Sequence, residues 1–169
     1  DRAETSLTEL NPVTERRTDE DHLRDPSFHL SAMRYREERL LRSVAMRLRA
    51  RLRDGMESFE AVNAVQDHLV TLARAHAERL TLEAFQDAIV RAPKPGMSEL
   101  LADTAALYAL SRIEADGGWF LEAGYLEPTK SKAIRAHVLG LCAEVAECAE
   151  HLVDGFGIPE PLLPALVRR

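Results

Sequence analysis

Between Leu30 and Leu152 the apolar residues recur at steps of three and four, which lays them on one side of a helix. Nowhere do they alternate as a half-buried strand requires. Asp25-Pro26 supplies an N-cap acceptor followed by proline at the first helical position. From there Leu30, Met33, Leu40, Leu41, Val44, Leu48 and Leu52 hold helical spacing to Asp54-Gly55, where the glycine suits a C-cap. The opposite face carries Arg39, Arg42, Arg49 and Arg53, while Glu37 and, nearly, Arg51 fall inside the stripe.

A second helix is predicted from Ser58, as its cap, to about Ala92, where Pro93-Lys94-Pro95-Gly96 stops it. Its stripe is Phe59, Val62, Val65, Leu69, Leu72 and Leu80, interrupted by Gln66, His76 and Glu83. Toward its end Leu82, Phe85 and Ile89 lie on another side, as if the last turns met a second domain or subunit. Ser98 is read as the cap of a third helix, Leu100 to about Ala115, apolar nearly all round and hence central. Asp116-Gly117-Gly118 breaks it, and Trp119-Phe120-Leu121 should re-enter the core. The last long helix opens at Thr129 after Pro128 and runs to about Asp154 with Ile134, Val138, Leu141, Val145, Cys148 and Leu152 in register. Gly155 ends it, and the proline-rich tail from Ile158 to Pro164 has room for a helical turn or two. Residues 1–25 show no apolar period and read as an extended arm or linker before a bundle domain at 26–169. The expected fold is all-α: an antiparallel bundle of about four long helices plus a short C-terminal helical turn.

Composition narrows the function classes. A chain of 169 residues, 46% hydrophobic and 30% charged, suits one domain with a real core. No apolar run is long enough to span a bilayer and no signal-peptide core opens the chain, so no membrane partner is expected. Two cysteines make no disulfide framework, which suits a reducing compartment. A net charge of −6 argues against nucleic acid as a partner. The chain opens on Asp1 rather than Met, the mark of a fragment or processed product. Arginine outnumbers lysine 19 to 3, read here as genome composition.

The candidate chemistry is sparse. Eight arginines lie between Arg34 and Arg53, but no stacking aromatics interleave on their face, which reads as a solvated or inter-domain salt-bridge surface. Were it a nucleic-acid site, the chain would be retained on heparin in a steeply salt-dependent way. His76 on the apolar stripe reads as a hydrogen-bonded core histidine, with Gln66, Asp67, His68 and Arg74 able to extend a network. Glu37 and Glu83 are buried-carboxylate candidates that need partners, such as Arg51, Arg74 or His76. Cys142, Cys148 and His151 lack the placement and the fourth ligand of a metal site, so no metal is expected. Gly117, Gly118 and Gly124 do not form a dinucleotide fingerprint, and neither a serine elbow nor a zinc-binding His-Glu-x-x-His is present. No catalytic residue is assigned.

Several segments together are similar to the C-terminal helical domain of the acyl-CoA oxidases. They are Leu23-Arg24-Asp25-Pro26, Arg34-Tyr35-Arg36-Glu37-Glu38 and Asn63-Ala64-Val65-Gln66-Asp67-His68-Leu69, then Leu107 to Arg135 with Gly117-Gly118-Trp119-Phe120 and Lys132-Ala133-Ile134-Arg135. Val153-Asp154-Gly155-Phe156-Gly157-Ile158-Pro159 resembles the family's closing segment, with Gly155 where the family often has Ala. The resemblance implies an FAD-dependent enzyme that desaturates the α,β carbons of acyl-CoA in fatty-acid β-oxidation and passes electrons from flavin to oxygen. It implies that flavin, acyl-CoA and the catalytic glutamate belong mainly to preceding domains, that this bundle packs against that body, and that the full enzyme is a homodimer. The arginine face and the Leu82, Phe85 and Ile89 side would serve the docking. Leu166-Val167-Arg168-Arg169 is not a Ser-Lys-Leu peroxisomal signal, which with the arginine bias points to the bacterial cytoplasm. The alternative is a stand-alone helical scaffold derived from that domain, binding a partner protein.

Overall fold

A computed structural model describes residues 17–159 and 162 of the chain. Among them are eight α-helices: α1 (Glu20–Leu23), α2 (Pro26–Arg53), α3 (Ser58–Asn63), α4 (Gln66–Arg91), α5 (Pro95–Ala115), α6 (Gly117–Glu122), α7 (Pro128–Glu147) and α8 (Ala149–Gly155). No strand occurs among the described residues.

Side-chain contacts fix the directions. Arg34 meets Glu83 and Glu37 meets His76, so numbers rise along α2 while they fall along α4. Ser98 meets the Ile89 carbonyl and Tyr108 meets that of Glu78, giving the same sense for α4 and α5. Arg24 joins Asp103 to Glu144 while Glu114 meets Arg135, so α5 and α7 are antiparallel too. The four long helices form the antiparallel bundle that the periodicity predicts. At its centre α5 touches α2, α4, α6 and α7, burying Ala105, Ala106, Ala109, Leu110 and Ile113. One core cluster surrounds Phe120 with Leu23, Phe28, Leu110, Ile134 and Leu141, and the other joins Met33 and Leu82 to Ala105 and Ala109.

Helix limits follow local chemistry more closely than the stripes do. Asp25 accepts from the Ser27 backbone N–H at 2.8 Å and Pro26 takes the first helical position, as expected. Gly55, at φ +84°, turns the chain after α2. The single helix expected from Ser58 to Ala92 is two, separated by a turn at Ala64 and Val65. Its cap is Glu57 rather than Ser58, the carboxylate accepting from Phe59 N–H at 2.7 Å. The turn leaves Ala61 and Val65 inside but Phe59 71% exposed, so the first residue of the expected stripe is outside the core. α5 starts at Pro95, five residues before the expected Leu100, because proline has no N–H to leave unpaired in a first turn. The last helix also divides, at Cys148, and no residue of α8 is buried. Past the break after α5, Phe120 returns fully to the core while Leu121 stays exposed.

Within the segment read as an arm, residues 17–25 include α1, capped by Asp19, with His22 and Leu23 buried. The arm's earlier residues lie outside the described ones, as does most of the tail, of which Leu162 N–H reaches the Pro159 carbonyl at 2.9 Å. At the other end of α2, Ser43 still lines a cavity with Trp119 and Glu122, and Val44 is the last fully buried residue. The nine residues that follow carry α2 about 14 Å farther. The hairpin of α2, α3 and α4 thus overhangs the end of α5.

Candidate functional site

Where α2, α4 and the end of α5 cross, a charged cluster has a buried centre, Arg36 with Glu78, and a more open rim. Arg36 donates through its two terminal nitrogens to Glu78 and to Asp116, the residue at which α5 stops. Its side chain is 6% exposed and that of Glu78 10%. Arg74 Nε donates to the other Glu78 oxygen at 2.9 Å, and Arg112 lies 3.8 Å from it. Burial by itself raises the Glu78 pKa, but the hydrogen bonds from Arg36 and Arg74 outweigh it and hold the carboxyl below its ordinary value. This is a clamp of three elements, with every carboxylate spent on arginine.

A second network lies beside it, nearer solvent. Glu37 takes His76 Nδ1 at 2.7 Å and Arg79 Nε; Arg79 also holds Glu83 at 2.7 Å, and Arg34 reaches Glu83 at 3.1 Å. Burial pushes the Glu37 pKa up, yet Arg79 and His76 bring it below the usual value; Arg34 and Arg79 likewise lower Glu83. Of the partners expected for Glu37, His76 is the one found; Arg74 goes to Glu78, and Arg51 donates to the Arg47 carbonyl at 3.3 Å. His76 is 52% exposed at its side chain, which corrects its reading as a core histidine. Gln66 and Asp67 are exposed and His68 half-buried in the first turn of α4, too far along the helix to join His76.

Sequence reasoning missed a third group. His22 and Lys130 are buried, with Lys130 Nζ donating to His22 Nε2 at 2.7 Å and lying 4.0 Å from the Phe28 ring centroid. With Asp25, Ser31 and Tyr125 they line a cavity of about 180 Å³. Next to it His29 Nε2–H donates to the Leu23 carbonyl at 2.6 Å. Burial lowers the His29 pKa to about 4 against the opposing pull of that carbonyl. The available signal was His29 standing in step with Met33, Arg36 and Leu40, one residue over from Leu30.

Two expected surfaces part ways. Leu82 is 1% exposed and packs with Met33, Ala105 and Ala109, while Phe85 and Ile89 cover that cluster. The side expected to dock a second partner is therefore filled by α2 and α5 of the same chain. The arginine face is open: Arg39, Arg42, Arg49 and Arg53 are all exposed, Arg39 lying 5.7 Å from the Tyr35 ring centroid. Cys142 is exposed and Cys148 half-buried, and no group of three metal-ligating side chains stands together among the described residues. Gly117 and Gly118 lie within α6 at ordinary φ, and Gly124 turns out of it at φ +69°.

None of three cavities along α2 is large enough to enclose FAD. They measure about 180, 180 and 250 Å³, below the roughly 300–1,000 Å³ of cofactor sites. No helix among the described residues is long and apolar enough to cross a membrane.

Comparison with known proteins gives this geometry a context. A family model described as acyl-CoA oxidase matches residues 25–167. The peroxisomal acyl-coenzyme A oxidase 2 of Arabidopsis thaliana is 42% identical over 156 residues, 92% of this chain and 22% of that protein. Another Arabidopsis thaliana relative bearing the acyl-coenzyme A oxidase name is 30% identical over 142 residues, 83% of this chain and 75% of that protein. The crystal structure of acyl-CoA oxidase 1 from Yarrowia lipolytica superposes with a TM-score of 0.77 at 25% identity, over 87% of this chain and 21% of that one. The chain thus spans about a fifth of the first and last of these proteins.

Proposed function

The chain belongs to the acyl-CoA oxidase family, and we propose that it is the C-terminal structural bundle of an FAD-dependent enzyme that desaturates acyl-CoA in fatty-acid β-oxidation. One observation carries this reading: relatives match almost the whole of this chain with only about a fifth of their own length. In it, flavin and acyl-CoA belong to the preceding domains of the same polypeptide, and flavin supplies the redox step there. This segment contributes no catalytic residue. Its part is to present a rigid surface to the catalytic body, and the Arg36, Glu78 and Asp116 clamp fixes α2 against α4 and α5 for that purpose. The bundle domain is taken from residue 26 onward, with the preceding residues as the arm that joins it to the body. The full enzyme is taken as a homodimer in the bacterial cytoplasm, on the arginine bias of the chain; fractionation of source cells tests the compartment.

The alternative scaffold reading has an observation of its own. The relative of which this chain covers 75% holds little beyond the bundle. An antibody against the chain, used on source-cell extract with intact mass and a visible spectrum, separates the two. A flavin-coloured polypeptide several times heavier than 18.9 kDa supports the oxidase. A colourless species near 18.9 kDa overturns it in favour of the scaffold.

A further inference from the structure

The cavity beside His22 and Lys130 brings four segments together: α1, the first turns of α2, the loop after α6 and the start of α7. Tyr125, in that loop, is 5% exposed. Its ring centroid lies 4.5 Å from that of Tyr35 and 5.5 Å from that of Phe120, so the ring is held on both sides. The hydroxyl is closed off from solvent and has no hydrogen-bond partner among the described residues. Buried polar groups are nearly always paired, so an orphan that lines a cavity points to something the cavity takes in. Burial and the neighbouring Tyr35 push the Tyr125 pKa up. The group therefore keeps its proton at neutral pH and offers a donor.

The wall's charges set the sign of what this donor meets. Lys130 Nζ donates to His22 Nε2, and an ammonium accepts nothing, so His22 takes that bond as a neutral ring. The charged groups on the wall are then Lys130 and Arg17 against one carboxylate, Asp25. Both Asp25 oxygens accept from Ser27, in capping α2. Arg17 also binds Asp19, which lies off the wall in a solvent-exposed pair. The wall proper thus carries one positive charge in excess, and its buried cation is Lys130. A monoanion balances that excess, whereas a dianion overshoots it.

We propose that this cavity is a carboxylate site, with the Tyr125 hydroxyl donating to a carboxylate oxygen and Lys130 supplying the opposing charge. One carboxylate meets both requirements, an acceptor for the hydroxyl and a single negative charge. At about 180 Å³ the space admits a short acid or the end of an acidic side chain. The chain has carboxylates of its own ahead of Arg17, at Asp1, Glu4, Glu9 and Glu15, and the test separates these from a free acid. Because the wall draws on α1, α2 and α7 at once, an occupant ties the segment carrying Arg17 and His22 to the bundle. The proposal stands whether or not a flavin-bearing body precedes the chain.

The thermal midpoint of the 169-residue chain, followed at neutral pH as sodium acetate replaces sodium chloride at constant ionic strength, tests it. A ligand of the folded state alone raises the midpoint and saturates. Tyr125→Phe removes only the unpaired hydroxyl, so its ligand-free midpoint should equal or exceed that of the wild type, while half-saturation takes about tenfold more acetate. D1N/E4Q/E9Q/E15Q identifies the source. A saturable rise in the wild type assigns the site to a free acid. A rise that appears only in the D1N/E4Q/E9Q/E15Q chain, and weakens when Tyr125→Phe is added to it, assigns the site to the chain's own carboxylate. No saturable rise in either chain, a rise indifferent to Tyr125→Phe, or a response to phosphate without one to acetate overturns the proposal. A ligand-free Tyr125→Phe midpoint well below the wild type also overturns it, because the hydroxyl would then already have a partner.

Discussion

Arg36 stands three residues after Met33, and Glu78 three after Ala75 and four before Leu82, so the helix period itself sends both charges inward. Two ions taken out of water stabilise a fold only while each keeps its partner. Replacing Glu78 by Ala leaves Arg36 closed in with Asp116 alone, and the loss should be about 3 kcal/mol or more, as for other broken buried pairs. Asp116→Asn should cost less, since that side chain is 30% exposed and keeps an acceptor. Urea denaturation of the two variants checks the order. His29 adds a pH dependence of determined sign. Its folded pKa, about 4, lies below the ordinary histidine value of 6.5, so the unfolded chain binds the proton first as pH falls. Its contribution is fully present above about pH 6.5 and is lost toward pH 4, at up to about 1.4 kcal/mol per unit. The lowered Glu37, Glu78 and Glu83 act in the same direction, but their loss begins nearer the ordinary carboxylate range. His29→Gln should flatten the stability curve between pH 4 and 6.5; an unchanged slope there would assign it to other groups. Periodicity placed Glu37 and Glu83 as charges needing partners but passed over Arg36 and Glu78. Hydrophobic spacing marks which side of a helix is inside; it does not say which neighbouring helix supplies the counter-charge.

The first long helix, bounded by an aspartate cap, a proline and a glycine, was legible; the caps at Asp19 and Glu57 and the start at Pro95 were passed over, and helices divided by packing were not legible at all. Asp25-Pro26 and Gly55 bound α2 where the sequence puts them. The breaks at Val65 and Cys148 contain neither Gly nor Pro, so no local signal announces them. Val65 is fully buried at its break. The Leu82, Phe85 and Ile89 side was misread for the same reason: a change of face within one helix records a new neighbour, and here α5 of the same chain is that neighbour. The glycines sort by conformation. Gly55 sits at φ +84°, so Gly55→Ala should destabilise by about 1 kcal/mol despite open space around its Cβ position. Gly118 lies in α6 at ordinary φ with nothing near that position, so Gly118→Ala should stabilise by about 0.5–1 kcal/mol. Thermal midpoints moving in opposite directions would separate a glycine required by its turn from one that merely weakens a helix.

Across the whole molecule, cohesion is concentrated at one end of α2. The helix buries Phe28, His29, Ala32, Met33 and Arg36 in its first half, then Val44 and nothing fully beyond it. α5, in contrast, buries Ala105, Ala106, Ala109, Leu110 and Ile113 among four neighbouring helices. A helix held on one side by another helix and open on the rest should unfold locally at lower cost than the body. Amide exchange should therefore be faster from Leu48 to Arg53 and from Ser58 to Asn63 than from Ala105 to Ile113, by on the order of a hundredfold or more. Uniform protection along α2 would mean the overhang is held by something intrinsic to the hairpin, and the uneven distribution of burial would not be what governs its opening.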